Sequence, residues 1–332
     1  MTRLRSSGAL WGAAALALVA VAVAGVSLGA VPVPPGDVWR ALLGDGDPTT
    51  LGIVRTLRLP RVLLAALVGA GLGMSGAALQ GTLRNPLAEP YLLGVSGGAA
   101  VGAVLATAFG ADAPAMVVLG AFLGAVLAVG IVLAVARAAS GRADPRVLLM
   151  AGVVVGAFAN AAIMVALASA RPNVVRGALW WMMGSAADAS WTSVVVLAAC
   201  VAAGGILLTA WGRDVDVLTL GEEPAAGLGV DVDRAARRVY LAASLLAAAT
   251  VAAAGLVGFV GLVVPHLARA GGLRTHRAIV PGAAIVGATL VVAADLVART
   301  ARAPSELPLG AVTALVGVPF FSIILYRFQR AS

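Results

Sequence analysis

Lysine is absent from the 332-residue sequence, and only one cysteine and two histidines are present. A Walker A loop needs a lysine against the nucleotide phosphates, so the chain cannot be a P-loop ATPase. The single cysteine, Cys200, lies inside an apolar run and excludes a disulfide framework. The two histidines, His266 and His276, form no recognisable metal-binding cluster, and we expect neither a metal nor a cofactor in this chain.

Charged side chains are also scarce, at 11% of residues, while hydrophobic residues make up 61%. Soluble domains have about 25% charged and about 45–50% apolar residues. Here whole windows of about 20 residues carry no charge, which is the length that crosses a hydrocarbon layer about 30 Å thick. The 41 glycines suit close packing of helices in lipid. The composition predicts an all-α, polytopic membrane protein in a lipid bilayer.

The apolar runs predict ten membrane helices within a single domain, 1–332. These runs lie near 8–31, 62–82, 92–109, 114–136, 147–169, 191–212, 239–257, 258–269, 279–298 and 307–326. The first run is too long for the core of a secretory signal, which has about 7–15 apolar residues. The uncharged stretch 239–268 is longer than one span needs, and Gly255 and Pro265 favour a break in it.

The arginines give the orientation of the chain. With ten crossings and both termini in the cytoplasm, 15 of the 23 arginines face the cytoplasm, as the positive-inside rule expects. They lie at the ends of apolar runs rather than in one patch, although the net charge is +8, and this disfavours nucleic acid as a partner. The polar segment 214–234 is then cytoplasmic. Segment 32–61 is external, and an amphipathic patch around Trp39 predicts an interfacial helix.

Arginines concentrate at the outer mouth of the second predicted span. Arg58 and Arg61 lie there, and Arg299 lies at the outer end of the ninth span. The planar guanidinium group suits carboxylates, so these arginines predict a receptor for an acidic surface on a soluble protein. The alternative is simple interfacial anchoring of the helix ends.

The segment 85–90 predicts a structured turn after the second span. Pro86 and Pro90 lie four residues apart and cannot both continue a helix. We expect Asn85 to cap backbone donors and Pro90 to open the next helix. A substrate or ion role for Glu89 is the alternative.

Asp295 is the only acidic residue that we place inside a predicted span. Arg299 lies four residues further on the same helix face, so we expect an ion pair, with a proton relay as the alternative. We expect His266 to hold the short eighth helix to the cytoplasmic segment 214–234 through a hydrogen bond. Neither residue has companions suited to covalent or hydrolytic chemistry, and we expect no enzymatic activity.

The cytoplasmic segment 220–229 combines two carboxylates with small residues. Glu222 and Glu223 precede Ala225, Ala226 and Gly229, a composition that favours a compact helix–turn–helix docking into a groove of a soluble partner. A polar loop without a role is the alternative. A secondary transporter is a competing function class, but only Asp295 could relay a proton in it.

Six stretches of the chain resemble the FecCD family, the permeases of type II ABC importers for iron–siderophore complexes, haem and cobalamin. They are RLPRVLLAALVGAGLGMSGAALQGTLRNPLAEPYLLGVSGGAAVGAV (58–104), LLMAGVVVGAF (148–158), WWMMGS (180–185), LGEEPAAGLGV (220–230), GFVGLVVPHLAR (258–269) and ELPLGAVTALVGVPFF (306–321). They occur in the family's order and spacing along nearly the whole chain.

The resemblance implies a type II ABC importer permease fold with ten transmembrane helices in the bacterial inner membrane. It implies a dimer around a central pathway, formed with a second copy or with a paralogue. An ATP-binding cassette ATPase dimer, which binds ATP and Mg, would lie below, and an extracytoplasmic substrate-binding protein above. Ferric siderophore is favoured as the commonest cargo of the family, with haem and cobalamin open.

The resemblance also implies residue roles. Arg58, Arg61 and Arg299 match arginines that dock the binding protein. Ser140, Asp144 and Pro145 match the cytoplasmic gate, although the family's cobalamin member has small hydroxyl residues where this chain has Asp144-Pro145. The residues that match coupling helices entering the ATPases are Leu220, Gly221, Glu222, Glu223, Ala225, Ala226, Leu228 and Gly229.

Overall fold

The computed structural model describes residues 2–110, 113–141 and 144–331, and every regular element among them is helical. The first half contains α1 (Thr2–Ser27), α2 (Pro35–Leu43), α3 (Pro48–Leu51), a π-helix (Gly52–Arg58), α4 (Leu59–Thr82), a 3₁₀-helix (Pro90–Leu93), α5 (Val95–Ala108), α6 (Pro114–Ser140) and α7 (Pro145–Ala168). The second half contains α8 (Pro172–Met182), α9 (Trp191–Ala210), α10 (Gly212–Leu218), α11 (Glu222–Gly227), α12 (Val232–Ala254), α13 (Val260–Ala270), α14 (His276–Thr300) and α15 (Leu309–Ala331).

Each of the ten predicted spans coincides with a helix. Within the described residues, six helical stretches are long and apolar enough to cross a membrane: Pro48–Thr82, Pro114–Ser140, Pro145–Ala168, Trp191–Ala210, Val232–Ala254 and His276–Thr300. Four shorter apolar helices, Trp11–Ser27, Val95–Ala108, Val260–Ala270 and Leu309–Ile323, account for the other predicted spans. The all-α, polytopic architecture is confirmed, and the number of complete crossings stays a prediction.

The second membrane helix begins earlier than its apolar run indicates. Helical structure is continuous from Pro48 through the π-helix into α4, so the external loop is shorter than the predicted 32–61. Pro60 has no N–H and its ring crowds the preceding turn, and the wider π-helix ends just before it. The expected interfacial helix is α2, in which Val38 and Ala41 are buried while Trp39 is 64% exposed.

The long uncharged stretch 239–268 is broken, as predicted, and the break at 255–259 includes the predicted boundary between 257 and 258. Helix α12 ends at Ala254, and Gly255 has a φ of +70°. Phe259 has a φ of +66° and directly precedes α13. Two left-handed residues so close together reverse the chain and leave α13 only 11 residues long.

A helix that the sequence did not predict, α8 (Pro172–Met182), occupies the connection between α7 and α9. Its single buried residue is Ala178, while Trp180 is 57% exposed. A helix with one narrow buried edge lacks the continuous apolar run on which the prediction of spans rests. The nearby Trp191 indole donates a hydrogen bond to the carbonyl of Arg55 at 3.1 Å, which ties α9 to the π-helix.

Helix α4 lies at the centre of the molecule and is buried along most of its length. Its glycines meet other backbones directly: a Cβ on Gly69 would overlap the carbonyl of Gly287 in α14. In the same way, a Cβ on Gly76 would overlap the carbonyl of Gly261 in α13. Helices α6, α7 and α9 are exposed along most of their length, and their apolar side chains form much of the surface of the single chain.

We predict that Gly69→Leu lowers the thermal stability of the detergent-solubilised protein. The new side chain must push α14 away from α4, and overpacking of this kind costs about 1–3 kcal/mol or more. The matched control is Gly130→Leu, because Gly130 is exposed on α6 and a Cβ atom there would meet nothing within 4 Å. Thermal unfolding of both variants is the measurement. Equal melting temperatures for the two variants would remove the close α4–α14 contact as a determinant of stability.

Candidate functional site

The polar segment 214–234 contains two short helices joined by a turn, but only the second of them, α11, lies within 220–229, where the sequence predicts a compact helix–turn–helix. Helix α10 is followed by a turn at Gly221, where φ is +114°, and then by α11. A second turn at Gly229, with φ of +81°, leads towards α12. Positive φ at both positions explains why glycine is used there. Helix α11 therefore lies between two turns of the chain, at the end of the helix bundle.

The residues predicted to couple to a partner differ in exposure. Leu220 is 61% exposed and Leu228 is 63% exposed, so both apolar side chains project from the segment. Glu223, Ala226 and Gly229 are exposed, and Gly221 and Glu222 are half-buried. Ala225 is fully buried and packs with Leu218, Ala235 and Ala236, so it holds α11 onto α10 and α12 instead of facing outward.

Ion pairs fasten this segment to the rest of the bundle. Glu222 pairs with Arg84, which follows α4, at 3.1 Å. Asp214 pairs with Arg238 of α12, whose guanidinium group also lies 5.1 Å from the ring centroid of Trp211. The segment is therefore attached both to the end of α4 and to α12.

A third attachment joins α10 to the start of α14. One carboxylate oxygen of Asp216 accepts the backbone N–H of His276 at 2.9 Å and lies 2.6 Å from Nδ1 of the same residue. This carboxylate satisfies one of the donors that a helix leaves free at its N-terminus, where negative charge is favourable. The sequence analysis missed this contact, because 60 residues separate the two partners.

The predicted gate residues form the start of α7. Asp144 caps the helix by accepting the backbone N–H groups of Arg146 at 2.8 Å and Val147 at 3.4 Å. Pro145 occupies the first helical position, where its missing N–H costs nothing. Ser140 ends α6, and its hydroxyl donates to the carbonyl of Ala136 at 2.8 Å.

Two of the predicted gate residues and part of the predicted coupling segment line one cavity of about 350 Å³. Asp144 and Pro145 line one wall, and Glu222, Glu223 and Ala226 line another. Ser140 is not among the lining residues. The structure thus brings the start of α7 and helix α11 together.

The segment 85–90 forms the predicted turn and supports the break between α12 and α13. The side-chain oxygen of Asn85 accepts the N–H of Leu87 at 2.9 Å, and Pro90 opens the 3₁₀-helix. The carboxylate of Glu89 accepts the N–H of Phe259 at 2.8 Å. Glu89 therefore caps α13, which is the structural role that the turn hypothesis predicts.

The prediction for His266 was wrong in its partner. Its Nε2 lies 3.0 Å from the carbonyl of Pro86, so it holds α13 to the 85–90 turn and not to the segment 214–234. The same turn provides Tyr91, whose hydroxyl accepts the N–H of Val257 at 2.8 Å. The sequence analysis did not predict this role of Tyr91, although the position of Tyr91 directly after Pro90 could have indicated it.

The three outer arginines come together, but two of them point into the protein. Arg58 is 8% exposed, and its guanidinium group donates to the carbonyls of Val26 and Ser27, both at 2.9 Å. These carbonyls lie at the C-terminal end of α1, where a helix leaves acceptors free. Arg299 is 7% exposed and donates to the carbonyl of Gly25. Both side chains therefore cap the C-terminal end of α1 by donating to its free carbonyl groups.

Arg61 lies between two carboxylates. Its Nε and Nη2 donate to Asp295 Oδ1 at 3.0 and 2.8 Å. Its Nη1 and Nη2 donate to the two oxygens of Glu306 at 2.7 and 2.9 Å. The Asp295 side chain is 2% exposed, whereas that of Glu306 is 40% exposed. The hydrogen bonds from Arg61 hold the pKa of Glu306 below its ordinary value.

The predicted ion pair between Asp295 and Arg299 is present, with 3.4 Å between Oδ2 and Nε. Arg61 is nevertheless the closer partner of Asp295, and the sequence analysis missed this pair. Two arginines therefore surround the buried carboxylate of Asp295. Among the described residues, no group of three or more histidine, cysteine, aspartate or glutamate side chains could hold a metal ion.

The chain is similar over most of its length to several known permeases. It is 42% identical to a cobalamin import system permease protein of Halobacterium salinarum, over 89% of this chain and 82% of that one. It is 38% identical to a hemin transport system permease protein of Yersinia pestis, over 93% of both chains. It is 39% identical to an iron(3+)-hydroxamate import system permease protein of Bacillus subtilis, over 92% of this chain and 79% of that one.

A solved structure has the same fold. It is an inward-facing conformation assigned to the metal-chelate type of ABC transporter, with a TM-score of 0.84 and 27% identity, covering 96% of this chain and 99% of that one. The profile of the FecCD transport family matches residues 16–327. The chain therefore belongs to the FecCD transport family of membrane permeases.

Proposed function

We propose that this chain is the translocating subunit of an ATP-driven importer that carries a metal chelate, with a ferric siderophore as the first candidate cargo. The similar permease for iron(3+)-hydroxamate import supports that cargo. The similar cobalamin and hemin permeases support the two other candidates, cobalamin and haem. A second permease subunit, an ATPase dimer that binds ATP and Mg, and an extracytoplasmic binding protein complete the proposed assembly in the bacterial inner membrane.

The observation that carries this proposal is the shared cavity between α11 and the start of α7. The apolar Leu220 and Leu228 project from the coupling segment and suit a groove in a soluble ATPase. Motion of α11 changes the width of the cavity, and Asp144 and Pro145 form its opposite wall. Because Asp144 caps α7, a push on this wall moves the end of the helix and not a loose side chain.

The alternative function, an ion-coupled secondary transporter, has no comparable structural observation in its favour. Its proton relay would have to be Asp295, whose carboxylate is held by Arg61 at 2.8 Å and accompanied by Arg299 at 3.4 Å. Asp295 is almost fully buried, and both of its oxygens are contacted by these guanidinium groups, so its contacts are those of a structural ion pair.

Uptake into reconstituted vesicles tests the importer. Vesicles that contain the permease, its ATPase and its binding protein should accumulate radiolabelled ferric siderophore only when ATP is present on the ATPase side. The same vesicles without the ATPase, under an imposed proton gradient, are the control. Accumulation in these control vesicles would contradict the proposal.

We predict that Leu228→Asp weakens attachment of the ATPase by about tenfold or more, as expected for a central apolar anchor. Co-purification and titration of the ATPase against the permease are the measurements. The control is Leu43→Asp, because Leu43 is 70% exposed on α2 at the opposite end of the molecule. Unchanged attachment in the Leu228 variant would remove α11 as the coupling element.

For the outer arginines, we propose docking of a carboxylate of the binding protein onto Arg61, supported by Arg58 and Arg299. Arg58 and Arg299 are turned inward, so they fix the position of the end of α1 and add positive charge. The accessible counter-ion of Arg61 is Glu306. A carboxylate from the partner can replace Glu306 with the same two-pronged geometry.

We predict that Glu306→Gln strengthens association of the binding protein by about two- to fivefold, because it removes a competing ion pair of modest strength. Asp188→Asn is the matched control: it removes the same charge from an exposed position in the loop between α8 and α9. Binding to permease in nanodiscs at low and high salt is the measurement. Equal effects of the two variants would indicate general electrostatics and contradict a specific exchange at Arg61.

A further inference from the structure

A second cavity, of about 570 Å³, lies at the same end of the molecule as the coupling segment. It is enclosed by the last turn of α4, the end of α10, the loop after α13 and the first turn of α14. The polar side chains that line it include Gln80, Arg84, Asp216, Arg269, Arg274 and His276. Neither the gate nor the outer arginines account for this cavity.

The lining carries an excess of positive charge. Three arginines face one aspartate, and that aspartate is already occupied by His276. Arg84 is paired with Glu222, but Arg269 donates only to the neutral side chain of Gln80, at 2.7 Å. Arg274 is exposed and has no hydrogen bond or ion pair in the part of the chain that the structure describes. Arg269 and Arg274 thus lack a carboxylate, which suits an anionic ligand.

His276 adds a second sign of an incomplete site. Its side chain is 6% exposed, and its Nδ1 faces Asp216. Its Nε2 is buried and has no hydrogen-bond partner among the described residues. A buried polar atom without a partner is costly. The atom lies against Gly81, and both His276 and Gly81 line the cavity.

The depth of the cavity corresponds to the headgroup layer of the bilayer. Gln80 and Gly81 belong to the last turn of α4, and His276 and Ile279 to the first turn of α14. Both are membrane-spanning helices, so their ends lie where phospholipid headgroups lie. Basic pockets between transmembrane helices on the cytoplasmic side are typical binding sites for anionic headgroups.

An apolar crevice adjoins the charged cavity and distinguishes a lipid from a free anion. It has a volume of about 70 Å³ and lies between α1, α13 and α14. Trp11, Ala14, Leu267 and Gly282 line it, together with Leu273, which also lines the charged cavity. A free phosphate needs only the charged part. A phospholipid uses both, with its headgroup among the arginines and the start of an acyl chain in the crevice.

We propose that this combined site binds an anionic phospholipid of the cytoplasmic leaflet. Arg269 and Arg274 hold its phosphate group, and Leu273 separates the headgroup from the chain. The bound lipid touches α10 on one side and the loop before α14 on the other, so it stabilises the attachment of the coupling segment. The site depends on neither the cargo nor the importer function proposed above.

Binding to delipidated, full-length protein in detergent tests the proposal. The protein is titrated with phosphatidylglycerol or phosphatidylcholine, and bound lipid is counted by native mass spectrometry. We expect preferential binding of phosphatidylglycerol. Arg274→Gln should weaken that binding by about fivefold, the effect of roughly one arginine at an anionic surface. Binding of phosphatidylcholine should not change.

The matched control is Arg277→Gln. Arg277 is exposed in the first turn of α14, three residues after Arg274, and does not line the cavity. The variant therefore loses an equal charge at the same membrane surface. Equal affinity for the two lipids, or an equal loss in the Arg274 and Arg277 variants, would overturn the site. Because Arg274 is exposed, its replacement should leave the melting temperature of the lipid-free protein unchanged.

Two further measurements distinguish a phospholipid from free phosphate as the source of the anion. They are a titration with inorganic phosphate and lipid binding by the Leu273→Gln variant. For a lipid, Leu273→Gln should weaken phosphatidylglycerol binding, and millimolar inorganic phosphate alone should not raise the melting temperature. If phosphate stabilises the protein through Arg274 while phosphatidylglycerol does not bind, the cavity takes a free anion and the lipid proposal fails.

Discussion

The direct backbone contact between α4 and α14 is the constraint on which the rest of the structure depends. Gly69 and Gly287 face each other so closely that neither has room for a Cβ atom. In lipid the hydrophobic effect does not drive two helices together, so close packing of this kind must do so. The contact sets the distance between the two helices at both ends. The ion pair between Arg61 and Asp295, which joins the same two helices, relies on that distance.

At one end of the pair, the contact brings Arg61 of α4 to Asp295 of α14. At the other end, α14 begins at His276, whose backbone N–H donates to Asp216 of α10, and α4 leads into Arg84, which pairs with Glu222 of α11. The two helices therefore connect the ion pairs of Arg61 to both attachments of the segment 214–234.

The sequence was sufficient for features that depend on local composition. Charge-free windows located the helices, and Gly255 indicated the break in the longest one. Glycines at 221 and 229 allowed the turns of the coupling segment. The pairs Arg61–Asp295 and Asp216–His276 could not be predicted, because they join residues 234 and 60 positions apart and depend on how helices pack. The predicted partner of His266 was wrong for the same reason, because helix packing brings α13 against the 85–90 turn. Helix α8 was missed because it buries too little surface to leave a pattern.

The start of α7 departs from the expected pattern of small hydroxyl residues, and this departure changes how one wall of the cavity is built. A gate of small hydroxyl residues would close through flexible side chains. Here Asp144 accepts two backbone N–H groups and Pro145 restricts φ, so the wall opposite α11 is the fixed first turn of a helix. Closing the cavity then requires movement of α7 as a unit. Helix α7 is exposed along most of its length in the single chain and packs on α5, α6 and the 3₁₀-helix, so a movement of α7 acts on these elements before it reaches the central α4.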